Sequence, residues 1–331
     1  MPETHSLLAR SRAYHLLSRL YFEGLSPVLL PAVEATPELA EALPASFSPD
    51  EAAADYQRLF GFNVFPFASV FLDPRGMLDG PVTDYVRRQF QRAGCPTPLT
   101  GEAPDHLGQE LTLLTFLARA EAGAWIDGLP TEAERIRRLE RRFMDEHLLG
   151  WLVAFTRAVR DEGFSFFTVL AELTLDLVLD HRSALGYGGR MTSKRFTLPE
   201  PPPLLDDPRT GLKDIAAYLT TTPWAGLFLS RDAITRLGRR AGVPRGFGDR
   251  TQMLANLFRA AAEYDHLDVV LEHLTALTAA WRAHYVALCA RNTPGLSDIV
   301  DVWTERLATT ERLLDRLREA ARHPNGLRES S

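Results

Sequence analysis

Apolar side chains return at steps of three and four along most of this chain, and no run alternates apolar with polar residues as a sheet face would. That pattern predicts an all-α protein, a bundle of helices joined by short loops. The first helix is expected over 5–22, with Leu8, Ala13, Leu16, Leu17, Leu20 and Tyr21 on its apolar side. Ser48-Pro49-Asp50-Glu51 opens another. There the serine caps, the proline suits the first turn, and Glu51 completes a capping box. Tyr56, Leu59 and Phe60 then share one face. Residues 61–80 are aromatic and turn-rich and read as a packed loop, before a helix over 81–93 that ends at Gly94. Further helices are expected over 105–122, 131–160 and 164–182.

Punctuation divides the chain. Residues 95–104 hold three prolines and a glycine, a connector between two helical halves at 1–100 and 101–190. Gly186-Tyr187-Gly188-Gly189, Pro199 and the run Pro201-Pro202-Pro203 mark a semi-extended linker, 191–210, after which a helical extension fills 211–331. Few contacts are expected to cross that linker, so 1–190 is expected to stand as a unit. Within the extension Ser230 should cap a helix that stops near Gly242, and Asp249 should start the next.

A stripe of Leu267, Val270, Leu271, Leu274, Trp281 and Tyr285, extended by Leu277 and Leu288, runs along 264–290. The last helix, 296–322, places Ile299, Trp303, Leu307, Thr310, Leu314 and Leu317 like a short coiled-coil seam. Burying such side chains stabilises by roughly 1.5–3 kcal/mol each, so the seam must be covered. The short connection at Pro294-Gly295 favours the stripe as its cover, with a homodimer as the competing arrangement. Residues 323–331 read as a loose tail.

A chain of 331 residues has room for two or three domains. Its net charge of −6 argues against a general nucleic-acid binder and suits a protein that holds something basic. Cys95 and Cys289 are the only cysteines, which excludes a disulfide framework and a CxxC zinc site. Arg10, Arg12 and Arg19 interrupt the first twenty residues, so no secretion signal is read there. No apolar stretch approaches the ~18 residues of a membrane span, so the chain is expected in the cytoplasm without membrane insertion. Lys194 and Lys213 are the only lysines, so 35 of the 37 basic residues are arginine, a bias of genome composition rather than mechanism.

Catalytic and metal motifs are scarce. Glu263-Tyr264-Asp265-His266 is one Glu-x-x-His, but a di-iron bundle needs a second, and no His-Glu-x-x-His occurs. A helical metal-dependent enzyme is therefore the lesser alternative, and no catalytic residue, metal ligand or cofactor is assigned. Gly186–Gly189 lacks the Lys-Ser/Thr ending of a phosphate loop, and there is no Gly-x-Ser-x-Gly. Arg231, Arg236, Arg239, Arg240, Arg245 and Arg250 make 230–250 basic, and Ile234, Leu237, Ala241, Gly242 and Val243 imitate the first helix and turn of a helix-turn-helix, a DNA-binding reading of 230–262. However, Gly246-Phe247-Gly248 falls where the recognition helix should form, and the acidic balance of the chain argues against this DNA-binding reading.

At the connector, Asp105 and His106 allow two readings. Asp105 can cap the helix entered after Pro104, with Glu110 one turn on able to pair with His106. Alternatively, Asp105 and Glu110 form a carboxylate pair beside a hinge, able to meet guanidinium groups.

Tyr56-Gln57-Arg58-Leu59-Phe60, Pro66-Phe67-Ala68-Ser69-Val70-Phe71-Leu72-Asp73 and Ala103-Pro104-Asp105-His106-Leu107-Gly108-Gln109-Glu110-Leu111 occur in an order that resembles the TorD-like (TorD/DmsD/NarJ) molybdoenzyme chaperones. Gly80, Gly94, Phe143, His147-Leu148, Trp151, Phe155, Phe167, Leu170 and Ala171 continue the resemblance, which covers about 10–185. It implies a helical core in two halves and a redox-enzyme maturation chaperone with no covalent chemistry of its own. The implied partners are an apo molybdoenzyme catalytic subunit and its twin-arginine signal peptide, and the molybdenum cofactor belongs to that client.

The resemblance also places Pro104, Asp105 and His106 in a hinge of leader recognition. With Glu102 and Glu110 they make the expected client-binding set. Two departures stand out: Ala103 replaces a frequent glutamate, although Glu102 adjoins it, and the chain runs well beyond the family's usual length. The task asks for carboxylates near an apolar groove, since a twin-arginine leader is a basic pair followed by an apolar stretch.

Overall fold

The computed structural model describes residues 2–77, 79–96, 101–186, 196–204, 209–243 and 246–322. These are all-α, with one isolated antiparallel bridge between Phe67 and His106 and no strand among the described residues. The chain divides into two compact units. One is Met1–Phe196 with Arg291–Ile299, and the other is Thr197–Ala290 with Val300–Ser331.

The first unit contains α1 (Pro2–Glu23), the short α2 (Leu30–Glu34) and α3 (Pro37–Glu41), α4 (Pro49–Tyr56), α5 (Ala68–Leu72) and α6 (Pro81–Ala93). It continues with α7 (Leu107–Ile126), α8 (Pro130–Phe143), α9 (Leu149–Glu162) and α10 (Ser165–Ala184). Helices α1 and α7 lie side by side, tied where Ser18 donates to the Gly108 carbonyl at 2.7 Å and Ser11 to that of Thr115 at 3.0 Å. Gly108 permits this approach: a Cβ there would stand 2.8 Å from the Phe22 ring. Phe60, Phe155 and Phe167 meet beneath α4, with Phe60 and Phe155 stacked at 6.1 Å between centroids. Ser48 caps α4 by accepting from the Glu51 N–H, and Gly94 ends α6 in the left-handed conformation at φ 66°.

Three expectations need correction. Helix α4 runs into a π-helical segment, Gln57–Asn63, and the helix expected over 131–160 is interrupted by a second, Met144–Leu148. A π turn inserts a residue into the ladder, and the average period of three to four does not reveal it. The packed loop expected over 61–80 includes α5, whose five residues are too few to display a period.

The second unit contains α11 (Leu212–Thr220), α12 (Thr222–Ala225), α13 (Arg231–Arg240), α14 (Arg250–Glu263), α15 (Leu267–Cys289) and the greater part of α16 (Leu296–Arg322). Ser230 and Asp249 cap α13 and α14 at 2.8 Å, as their positions imply. Trp303, Leu307, Thr310 and Leu314 of the seam are buried, and Leu317 is half-buried. Tyr285 of α15 stacks on Trp303 at 5.9 Å, and Arg282 forks onto Glu311 at 2.9 and 2.7 Å. The seam is thus covered within the unit. Gly226, at φ 77°, lets α12 touch α16, since a Cβ there would lie 2.8 Å from the Leu307 nitrogen.

The Tyr187–Gly189 turn, 191–195 of the expected linker, its residues 205–208 and the tail 323–331 lie outside the described residues. What is described of the linker is packed. Phe196 is buried over Gly150 in the first unit, while the Leu198 and Pro199 carbonyls each accept from Arg306 at 3.1 Å in the second.

Candidate binding site at the hinge

The hinge is a short piece of antiparallel pairing. Leu107 donates its N–H to the Pro66 carbonyl at 2.8 Å, and Ala68 donates to the Asp105 carbonyl at 2.9 Å. The Asp105 carboxylate finishes the joint: Oδ2 accepts from the Ser69 N–H at 3.0 Å and Oδ1 from the Thr83 hydroxyl at 2.8 Å. Asp105 therefore caps α5, not the helix that follows it in sequence. The N-cap of α7 is His106, whose Nδ1 accepts from the Gly108 N–H at 3.1 Å.

The His106 ring lies stacked on Phe22 and edge-on to Phe67, both at 4.9 Å. Burial pushes its pKa down to about 3, so the ring is neutral at neutral pH, as an acceptor must be.

Glu110 does not pair with His106. It turns inward, where His147 Nε2 lies 2.6 Å from Oε1 and Trp151 Nε1 donates to Oε2 at 3.1 Å. Burial raises the Glu110 carboxyl above its ordinary value, against the pull of His147 and Trp151. This contact ties α7 to the second π-helical segment and to α9. Tyr85 of α6 stacks on His147 at 5.2 Å and donates to Glu146 at 3.1 Å.

The five expected residues thus fall into two groups. Asp105, His106 and Glu110 are buried and engaged, while Glu102 is exposed and Pro104 half-buried. The Glu102 charge reaches Tyr56 at the end of α4, adding to the burial that pushes the tyrosine hydroxyl up to about 12.

The chain leading into the Pro66–Ala68 pairing carries two side chains that sequence reasoning left inside a packed loop: Phe62 is 59% exposed and Phe65 is 41% exposed. A signal existed. Gly61-Phe62-Asn63-Val64-Phe65-Pro66-Phe67 carries more large apolar groups than one turn can bury, and Val64 takes the interior place.

Residues 27–157, which include the hinge and both π-helical segments, match the family described as nitrate reductase delta subunit. Over 85 residues the chain is 40% identical to the selenate reductase assembly chaperone protein of Thauera selenatis, covering 26% of this chain and 42% of that protein. Residues 27–157 thus resemble the TorD/NarJ-like chaperones. That likeness spans less than half the length of the curated relative, and the family match at 27–157 lies within the first unit.

Outside the hinge, the Glu-x-x-His at 263–266 is not on one helix face. Glu263 closes α14, Asp265 takes φ 60°, and His266 donates from Nδ1 to the Ala241 carbonyl. Among the described residues no group of three His, Cys, Asp or Glu side chains could hold a metal ion, and no helix is long and apolar enough to cross a membrane. Helix α13 ends at Arg240 and α14 begins at Arg250.

Proposed function

We propose that this protein is a cytoplasmic maturation chaperone that binds the apo catalytic subunit of a molybdenum-cofactor oxidoreductase, together with its twin-arginine leader, until the cofactor is inserted. The family match and the assembly role in the relative's name support the class. The observation that carries the reading is the exposed aromatic pair Phe62 and Phe65 on a segment anchored to the hinge that bears Glu102 and Pro104.

Chemically, the surface suits a leader. The rings offer apolar area and faces on which a guanidinium stacks, and Glu102 offers a carboxylate fork. Glu102 and Pro104 would touch the peptide. Asp105, His106 and Glu110 would act from beneath, fixing the 66–69 segment, the start of α7 and its tie to α9. The molybdenum cofactor stays with the client, so this chain needs no catalytic residue.

The test is calorimetry with the apo subunit bearing its leader and with the same subunit lacking it. The leader-bearing form is expected to bind at least about tenfold tighter, a difference of ~1.4 kcal/mol. Equal affinities would remove the leader from the proposal.

A further inference from the structure

Away from the hinge, the first unit encloses a second polar group with an unbalanced set of donors and acceptors. Glu121 of α7, Glu140 of α8 and His181 of α10 are all fully buried. Glu121 Oε1 accepts from Trp125 Nε1 at 3.2 Å and from Arg137 Nη1 at 3.1 Å, but its Oε2 meets no donor. Neither oxygen of Glu140 meets a donor at hydrogen-bond distance. His181 Nε2 lies 3.5 Å from Glu140 Oε2, and its Nδ1 is 3.0 Å from the Tyr14 hydroxyl of α1.

Two ionised carboxylates are acceptors only, so Glu121 and Glu140 can bond to each other only if one carries a proton. Arg137 of α8 bonds to Glu121, whereas Arg10 of α1 and Arg137 act on Glu140 only through their charge, and burial outweighs them both. His181 cannot supply the missing charge, because burial holds it neutral, well below the usual histidine range. Tyr14 and Asp180 complete the facing groups; the buried tyrosine is held un-ionised and the aspartate adds a further negative charge. An uncompensated charge in such a site is costly, and the usual outcome is that the group takes a proton.

We propose that folding traps one proton between Glu121 and Glu140, and that losing it loosens α8 from α7 and α10. With Tyr14 donating to His181 Nδ1, the imidazole carries its hydrogen on Nε2, which lies 3.5 Å from Glu140 Oε2 without making a hydrogen bond, so the Glu140 carboxyl gains no donor from it. The arrangement makes the first unit a pH-sensitive body. Burial pushes Glu140 up to about 7 and moves Glu121 in the same direction. The folded form therefore binds the proton more tightly than the unfolded chain. The stability it contributes is fully present below pH 4.5 and is lost as pH rises to about 7.

The experiment compares the full chain with Glu140→Gln by hydrogen exchange over α8, corrected for intrinsic rates. Between pH 4.5 and about 7 the opening of α8 in the wild type should grow relative to the variant, by up to about tenfold per pH unit. Parallel profiles across that window would overturn the proposal. Infrared difference spectra provide a readout independent of the variant's stability. The wild type near pH 6 should show the stretch of a protonated buried carboxyl, and Glu121→Gln should alter it. Absence of that band in the folded wild type would equally overturn the proposal.

Discussion

In the first unit the buried polar side chains include Asp73, Asp105, Glu110, Glu121 and Glu140 together with His106, His147 and His181, whereas among the described residues of the second the fully buried polar ones, aromatics apart, are Ser and Thr, and the desolvated cation is Arg250. The hydroxyl of Thr278 donates to a carbonyl one turn back in its own helix at 2.9 Å, a bond that follows the helix wherever it goes and specifies little. Thr310 reaches the Ala225 carbonyl at 2.7 Å and Thr220 meets Thr251 at 2.8 Å, neutral contacts across the unit. Asp105 and Glu110 instead join segments 22 to 41 residues apart. The second unit therefore reads as ordinary helix packing around Trp281, Tyr285 and Trp303. The first places costly charged groups where they join the 66–69 segment and α6 to the start of α7, and α7 to α9.

The largest expected effect lies in the apolar unit. Trp303→Ala should lower stability by about 3–5 kcal/mol in urea titration, as for a buried large aromatic. The cost should be independent of pH, and light scattering should show no change in oligomeric state, because Tyr285 and Arg282–Glu311 cover that helix within the unit. A conversion from dimer to folded monomer would instead make the seam an intersubunit contact.

A matched pair of substitutions sharpens the contrast. Thr83 and Thr278 are both fully buried, but Thr83 donates to a carboxylate and Thr278 to a helix carbonyl. Thr83→Val should cost about 1.5–3 kcal/mol, the range for hydrogen bonds to charged groups. Thr278→Val should cost about 0.5–1.5 kcal/mol or less. Equal costs in urea titration would mean that the buried carboxylates of the first unit are not special.

The same contrast governs what could be read from the sequence. Caps at Ser48, Ser230 and Asp249, the stop at Gly94 and the stripes of α15 and α16 are local patterns, and the structure keeps them. The partners of Asp105 and Glu110 are not local. Nothing near Asp105 reveals that the helix it caps begins at Ala68, or that Glu110 bypasses His106 for His147. Motif order pointed to the hinge, but only tertiary packing separates Glu102, which faces solvent, from Asp105, which does not.

The most direct test of the account is calorimetric titration of a twin-arginine leader peptide into the wild type and into Phe62→Ser/Phe65→Ser. Both side chains point outward, so the variant should fold and melt like the wild type. Covering the exposed fractions of the two rings is worth roughly 1.5–3 kcal/mol together, so the double variant should lose affinity by about tenfold to a hundredfold. A folded variant that binds the leader as tightly as the wild type would contradict the claim that this surface receives it.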